Sequence, residues 1–132
     1  AFLLGWVMNT AGHIWVDRKN TDSALKSLES AKKSLKDMPR SILLFPEGTR
    51  TRDGSLAPFK PGGLLLAVDT DTPIVPIAFI GTHEMLRPES WSMNNHPIQI
   101  RIGKPISPKD YSLDTRRELA NYVRDKVQEL KQ

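Results

Sequence analysis

Apolar positions recur along the chain with two different periods, which predict alternating helices and strands. Helical spacing, with the apolar residues on one side, predicts helices over about 21–36 and 114–131, and a short apolar helix over 62–68. Continuous or alternating apolar runs predict four strands: 13–18, 41–45, 73–80 and 97–103. Strands separated by helices indicate an α/β fold, with a mostly parallel central sheet and flanking helices.

The strands differ in how their apolar residues are arranged. The run "SILLF" at 41–45 is continuously apolar, which is typical of a strand covered on both faces in a parallel sheet. The run 73–80 is interrupted by Pro76, which cannot donate to a ladder and therefore indicates a bulge or an edge. In 97–103 three isoleucines alternate with polar residues, so we expect the isoleucines to face inward and their polar neighbours outward.

Length and composition restrict the class of protein. The chain has 132 residues, 39% of them hydrophobic and 26% charged, and no repeat or linker is evident, so we expect 1–132 to form a single domain. The absence of cysteine excludes a disulfide scaffold, a thiolate nucleophile and thiolate metal sites. A net charge of +4 suits an anionic partner: a phosphate ester, a phospholipid surface or a nucleic acid.

The first residues do not resemble a targeting segment. The apolar run at 1–8 has neither an initiator methionine nor a basic region before it, so we do not expect it to be a signal peptide. It is also far shorter than the roughly 20 residues that a membrane-spanning helix needs. Because the chain starts inside an apolar run, we expect it to be an N-terminally truncated fragment.

Charged residues lie at the ends of two predicted strands. The first strand ends with Arg18, and Arg50 lies in the run "FPEGTRTRDG" at 45–54, which begins at the end of the second. Ligands of open α/β sheets bind outside the carboxyl ends of the strands, where two guanidinium groups can bind a phosphate with paired hydrogen bonds. Gly48 would let backbone N–H groups approach the same anion. Alternatively, Arg18 forms a structural ion pair with Asp17 or Glu47.

Three sequence blocks in the same order resemble a known family: Gly12–Asn20 ("GHIWVDRKN"), Phe45–Arg50 ("FPEGTR") and Val75–Thr82. They are similar to the 1-acyl-glycerol-3-phosphate (lysophosphatidic acid) acyltransferases of the glycerolipid acyltransferase superfamily. The resemblance implies a glycerol-3-phosphate acyltransferase-like fold. It also implies phosphatidate synthesis in phospholipid metabolism, in which a fatty acyl group moves from acyl-CoA or acyl-carrier protein to 1-acyl-glycerol 3-phosphate. No cofactor and no metal are implied.

The resemblance also implies roles for individual residues. The substrate phosphate is expected to bind a set of residues from the first two blocks and the segment that follows: Arg18, Gly48, Thr49, Arg50 and Lys60. Glu47 is expected to support the catalytic site, and Pro76 to line it. The alternative for Lys60 is an ordinary exposed lysine.

The family's catalytic H-x4-D motif, in which histidine acts as the general base, does not occur in this sequence. The residues five positions after His13, His83 and His96 are arginine, proline and arginine. Asp17 follows His13 by four positions, which is the wrong spacing. We therefore expect the motif upstream of residue 1, an active intact enzyme, and no activity in these 132 residues alone.

The resemblance further implies partners and a location. The expected partners are lysophosphatidate, an acyl thioester, a membrane surface and, as one donor, acyl-carrier protein. The expected location is the cytoplasmic face of a membrane, peripheral or anchored by an N-terminal segment. The alternative function is a catalytically silent module that binds lipid phosphates. Nucleic-acid binding is disfavoured because the lysines are scattered among acidic residues and no recognition motif occurs.

Overall fold

The computed structural model describes residues 27, 29–33, 35, 37, 41–90 and 92–132. The chain comprises two compact units, Ala1–Ile42 and Leu43–Gln132. In the first unit the described residues between 27 and 37 are helical, as their spacing predicts, and Ala31 is buried. The predicted strand at 13–18 lies outside the described residues. The single domain expected from the length stays a prediction.

The second unit alternates helices and strands. Their order is α1 (Pro61–Thr70), β1 (Ile77–Ile80), α2 (Thr82–Met85), β2 (Gln99–Ile102) and α3 (Arg116–Lys131). Helix α1 begins with a proline, which suits a first turn because the N–H that proline lacks has no partner there. Helix α3 follows Thr115, whose hydroxyl accepts a hydrogen bond from the Ser112 N–H. Both long helices were predicted to within two residues.

The core of this unit lies between α1 and α3. Leu64 of α1 and three residues of α3 are its buried members: Leu119, Ala120 and Val123. The residues of α3 recur at helical spacing and therefore lie on one side of it. Leu119 is completely buried, and burial of a leucine side chain contributes about 1.5–3 kcal/mol. The apolar periodicity of the sequence thus identified the face that joins the two helices.

The described sheet is a pair of antiparallel strands. In its register Ile77 lies opposite Ile102 and Phe79 opposite Ile100. The parallel pairing predicted from the sequence is therefore wrong for these two strands. A parallel connection needs a crossover of a dozen or more residues, usually a helix. Between β1 and β2 the described residues, 81–90 and 92–98, form one helix, the four-residue α2, which is too short to serve as a crossover helix.

Helix α3 covers the face of this pair that contains Ala78. Ala78 is buried, and the Arg101 guanidinium on the same face donates to the Leu130 carbonyl of α3 at 2.9 Å. On the opposite face the side chains of Ile100 and Ile102 are 58% and 68% exposed. The prediction that the isoleucines face inward is wrong. Alternation in the sequence shows that a strand has two different faces, but it does not show which of them is covered. Helix α3 packs on the face that carries the small Ala78.

The apolar run 41–45 forms no strand. Leu43 and Phe45 are 63% and 71% exposed, so the prediction of a strand buried on both faces is wrong. A strand requires a neighbour that completes its ladder, and neither β1 nor β2 pairs with this run. The Phe45 carbonyl instead accepts a hydrogen bond from the Gly48 N–H, so the chain turns where the strand was expected to end.

The break predicted at Pro76 is confirmed. Ile74 forms an isolated antiparallel bridge with Ile106, and the continuous strand begins only at Ile77. Pro76 lies between the bridge and the strand and is buried. Its carbonyl accepts a hydrogen bond from the Gly103 N–H at 2.9 Å. Since proline has no N–H to donate, it fits a position where only its carbonyl is needed.

Candidate functional site

The charged segment predicted as a ligand site forms a loop that begins with a tight turn and ends at helix α1. We call residues 45–60 the FPEGTR loop. Its turn is closed by a hydrogen bond from the Gly48 N–H to the Phe45 carbonyl, at 3.1 Å. Pro46 and Gly48 occupy the second and fourth positions of this turn, where proline and glycine are favoured. Gly48 has a φ of +71°, in the left-handed region that glycine adopts without a steric cost.

Gly48 also makes room for Lys60. A Cβ atom at Gly48 would lie 3.1 Å from the Lys60 Nζ atom, so the absence of a side chain lets the lysine lie against the turn. The Lys60 N–H donates to the Pro46 carbonyl at 2.8 Å, which joins the two ends of the loop. The Gly48 N–H, which we expected to face an anion, is used within the turn. The geometry therefore supports a steric role for Gly48.

Lys60 combines two sources of positive potential. It is the N-cap residue of α1, where the free N–H groups of the first turn carry a partial positive charge. Its side chain is exposed and forms no ion pair with the described residues. No acidic residue lies in the first turn of α1. The ammonium group and the helix terminus therefore both favour an anion here.

Glu47 holds the loop together from inside. Its Oε2 atom accepts a hydrogen bond from the Ala57 N–H at 2.8 Å, which connects the turn with the extended segment before α1. Pro58 follows Ala57, and a residue before proline favours such an extended conformation. The carboxylate of Glu47 thus fixes loop geometry, and this contact explains how it could support a site without touching the substrate.

The outer part of the loop has its own hydrogen bonds. The Thr51 hydroxyl donates to the Ser55 carbonyl at 2.7 Å, and both the N–H and the hydroxyl of Ser55 donate to the Asp53 carboxylate. The bonds from Ser55 hold the pKa of Asp53 below its usual value. Asp53 is therefore charged at neutral pH and serves as an acceptor within the loop.

Two cations of α3 hold the loop from outside. The Arg124 guanidinium donates from Nε to the Ala57 carbonyl (3.2 Å) and from Nη2 to the Leu56 carbonyl (2.9 Å). Lys131 Nζ donates to the Gly54 carbonyl at 3.3 Å. Sequence reasoning missed both residues, because they lie 67 to 77 positions from their acceptors. The only local signal was their place on α3 away from its apolar side.

The loop's two arginines differ in their contacts. Arg52 donates to Glu89 at 3.0 Å, in an ion pair whose side chains are 86% and 76% exposed. Arg50 is exposed and makes no hydrogen bond or ion pair with the described residues. Thr49 beside it is exposed as well. Arg50 is therefore the guanidinium that the described part of the loop leaves for a ligand.

Two further residues were predicted to belong to this site. Arg18 lies outside the described residues, so its convergence with Arg50 stays a prediction. Pro76 lines a half-open groove of about 570 Å³ between α3 and residues 103–111. No residue of the FPEGTR loop lines that groove. The expected role of Pro76 in the wall of the site stays a prediction too.

The described histidines have different surroundings. His83 is half-buried and lies so close to Gly54 that a Cβ atom at Gly54 would be 2.9 Å from the His83 ring. His96 is exposed. In the described part of the chain no three histidine, aspartate or glutamate side chains form a group that could hold a metal ion. His83 therefore packs beside the FPEGTR loop without belonging to a metal cluster.

Sequence comparisons relate the chain to acyltransferases. Residues 1–80 match the family model described as Acyltransferase. The chain is 37% identical, over 92% of its own length, to the 1-acyl-sn-glycerol-3-phosphate acyltransferase of Limnanthes douglasii, of which it covers 42%. It is 35% identical to the Saccharomyces cerevisiae enzyme of that name, over 94% of its own length and 42% of that enzyme. It is 33% identical to the Haemophilus influenzae enzyme, over 93% of its own length and 49% of that enzyme. The chain thus spans less than half the length of these curated relatives.

A structural comparison agrees with the sequence comparisons. The fold matches the crystal structure of the 1-acyl-sn-glycerophosphate (LPA) acyltransferase PlsC from Thermotoga maritima with a TM-score of 0.76 and 27% identity. The match covers 96% of this chain and 51% of that one. It confirms the predicted α/β fold class, in which helices flank a small sheet.

Proposed function

Because the chain belongs to the acyltransferase family, as its motifs predicted, we propose that the protein acylates 1-acyl-glycerol 3-phosphate and so forms phosphatidate. The three curated relatives and the solved structure are named for this acceptor. The observation that carries the proposal is the FPEGTR loop. Its backbone is fixed by hydrogen bonds, while Arg50 is exposed and has no partner among the described residues.

The proposed chemistry assigns a binding role to this loop. The Arg50 guanidinium can bind the acceptor phosphate with two parallel charge-assisted hydrogen bonds, and Lys60 adds a second positive charge. The free hydroxyl oxygen of the acceptor attacks the thioester carbonyl carbon, a C–O bond forms, and the C–S bond breaks. The hydroxyl proton ends on the released thiol. The general base of this step is the histidine of the family's H-x4-D motif, which this sequence does not contain.

The donor and the place of action are part of the proposal. The acyl donor is acyl-CoA or acyl-carrier protein, and no cofactor or metal takes part. Because the acceptor is a lipid, the protein works at a membrane surface, on the cytoplasmic face, where a net charge of +4 favours anionic lipids. Among the described residues, no helix has the length and apolar character needed to cross a bilayer.

The test is acyl transfer by the full-length protein from an acyl-CoA thioester to lysophosphatidate. We expect Arg50→Ala to raise the KM for lysophosphatidate about ten- to hundredfold, since hydrogen bonds to charged groups contribute roughly 1.5–3 kcal/mol. The KM for the thioester should change little. Arg50→Lys should also be impaired, because an ammonium group cannot form the paired bonds of a guanidinium.

Arg52→Ala is the matched control, since it removes a neighbouring arginine that already has an ion-pair partner. Its kinetics should be close to those of the wild type. Normal acceptor kinetics in both Arg50 variants would contradict the phosphate assignment. Lysophosphatidate binding by the wild type without acyl transfer would instead favour the catalytically silent module.

A further inference from the structure

We infer that Arg124 is a positioning residue that sets the FPEGTR loop in the geometry needed to bind the acceptor phosphate. The role rests on the proposed function, because it concerns how that same site is built. Arg124 lies on α3, far along the chain from the loop, and no motif of the family resemblance includes it. Its effect on the substrate would be exerted through the backbone of the loop.

The geometry of Arg124 is specific for the loop backbone. Its Nε and Nη2 atoms donate to two consecutive carbonyls, those of Ala57 and Leu56. The planar guanidinium presents its donors in a fixed fork, so the two bonds fix the direction of this peptide segment as well as its distance from α3. The side chain is 33% exposed, and its ion pair with the adjacent Asp125 is long, at 3.8 Å. The carbonyls of the loop are therefore its nearest partners.

Ala57 connects Arg124 with the FPEGTR motif. The Ala57 N–H donates to the Glu47 carboxylate, while the Ala57 carbonyl accepts from Arg124. Ala57 therefore has a carboxylate at its N–H and a guanidinium at its carbonyl, and both hydrogen bonds are charge-assisted. Glu47 lies three positions before Arg50. The guanidinium of α3 is thus connected through one residue to the turn that carries the phosphate-binding arginine.

A second cation on the same side of α3 supports this arrangement. Lys131 follows Arg124 by seven positions, which is two helical turns, and its ammonium group donates to the Gly54 carbonyl at 3.3 Å. The helix therefore holds the loop at two places along its length. Arg124 makes two bonds next to the motif, whereas Lys131 makes one bond at the outer part, so Arg124 is the residue to change.

The first test measures kinetics in the full-length protein with lysophosphatidate and an acyl-CoA thioester. We expect Arg124→Ala to raise the KM for lysophosphatidate about tenfold, which corresponds to about 1.4 kcal/mol, and to leave the KM for the thioester unchanged. Arg124→Lys should recover part of the loss, because an ammonium group can still donate to one carbonyl. A purely structural role would instead lower kcat through loss of active enzyme and leave both KM values unchanged. That result would overturn the inference.

The control is Arg117→Ala, which removes an exposed arginine of the same helix that makes no hydrogen bond or ion pair with the described residues. It should behave as the wild type.

The second test measures hydrogen–deuterium exchange and does not depend on activity. In Arg124→Ala, amide exchange should accelerate in the peptide covering residues 47–57 and remain unchanged in α1 and in the rest of α3. Uniform acceleration, or no change in the loop, would overturn the inference. If the wild type transfers no acyl group while loop exchange still responds to Arg124, the proposed function fails and the positioning of the loop stands.

Discussion

Replacement of Gly48 by alanine tests the geometry of the FPEGTR loop most directly. Gly48 has a φ of +71°, and for a residue with a Cβ atom the left-handed conformation costs roughly 1–2 kcal/mol. The new Cβ would also lie 3.1–3.3 Å from the last three atoms of the Lys60 side chain. These atoms belong to the end of a flexible, exposed chain, which can move at little cost. We therefore expect Gly48→Ala to lower the free energy of unfolding by about 1–2 kcal/mol, almost entirely through backbone strain.

The displacement of the Lys60 side chain should affect substrate binding rather than stability. A double-mutant cycle with Lys60→Ala, measured by urea unfolding and by the KM for lysophosphatidate, separates the two effects. In stability the two changes should add to within about 0.5 kcal/mol, as they do for residues that do not depend on each other. In the KM they should not add, because once Lys60 is removed Gly48→Ala has no lysine left to displace.

Two results would refute this reasoning. A Gly48→Ala variant whose free energy of unfolding lies within about 0.5 kcal/mol of the wild type, the range of ordinary surface substitutions, would show that the turn does not need a left-handed residue. A double mutant more stable than Gly48→Ala alone would show that the steric conflict with Lys60, and not the backbone conformation, is the main cost.

Two further predictions concern a tyrosine beside the core and an ion pair of the FPEGTR loop. Burial raises the pKa of the Tyr111 hydroxyl, so the folded state keeps this proton at a pH where the unfolded chain releases it. The free energy of unfolding should therefore be unaffected by Tyr111 below about pH 10 and fall as the pH rises further. Tyr111→Phe should reduce that fall in urea unfolding between pH 8 and 11, and an identical pH dependence would contradict the assignment. The exposed ion pair of Arg52 and Glu89 should contribute less than about 1 kcal/mol in a double-mutant cycle; a larger coupling energy would show that it holds the loop.

The sequence was informative wherever local chemistry decides the structure. Apolar spacing predicted α1 and α3 because one side of each helix is buried in the common core. Pro76 predicted the break before β1 because proline lacks a ladder donor. The string "FPEGTR" indicated the family, and proline and glycine occupy the positions that its tight turn favours.

The errors concern which partners a segment meets. The inward face of β2 was assigned to its isoleucines, but α3 packs on the face of Ala78 and Arg101. The direction of strand pairing was assigned from the alternation of elements, although the connection between the strands lacks a crossover helix. The contacts of Arg124 were also not predicted, because its carbonyl partners lie 67 and 68 residues earlier in the chain.

The separation between α3 and the loop has a consequence for folding. The hydrogen bonds from Arg124 and Lys131 span 67 to 77 residues of sequence, and contacts at such separations form late because they close large loops of chain. During synthesis the FPEGTR turn can form early from neighbouring residues, but its outer carbonyls have no cationic partners until α3 has been made and packed on α1. We therefore expect the site to reach its final geometry in one of the last steps of folding.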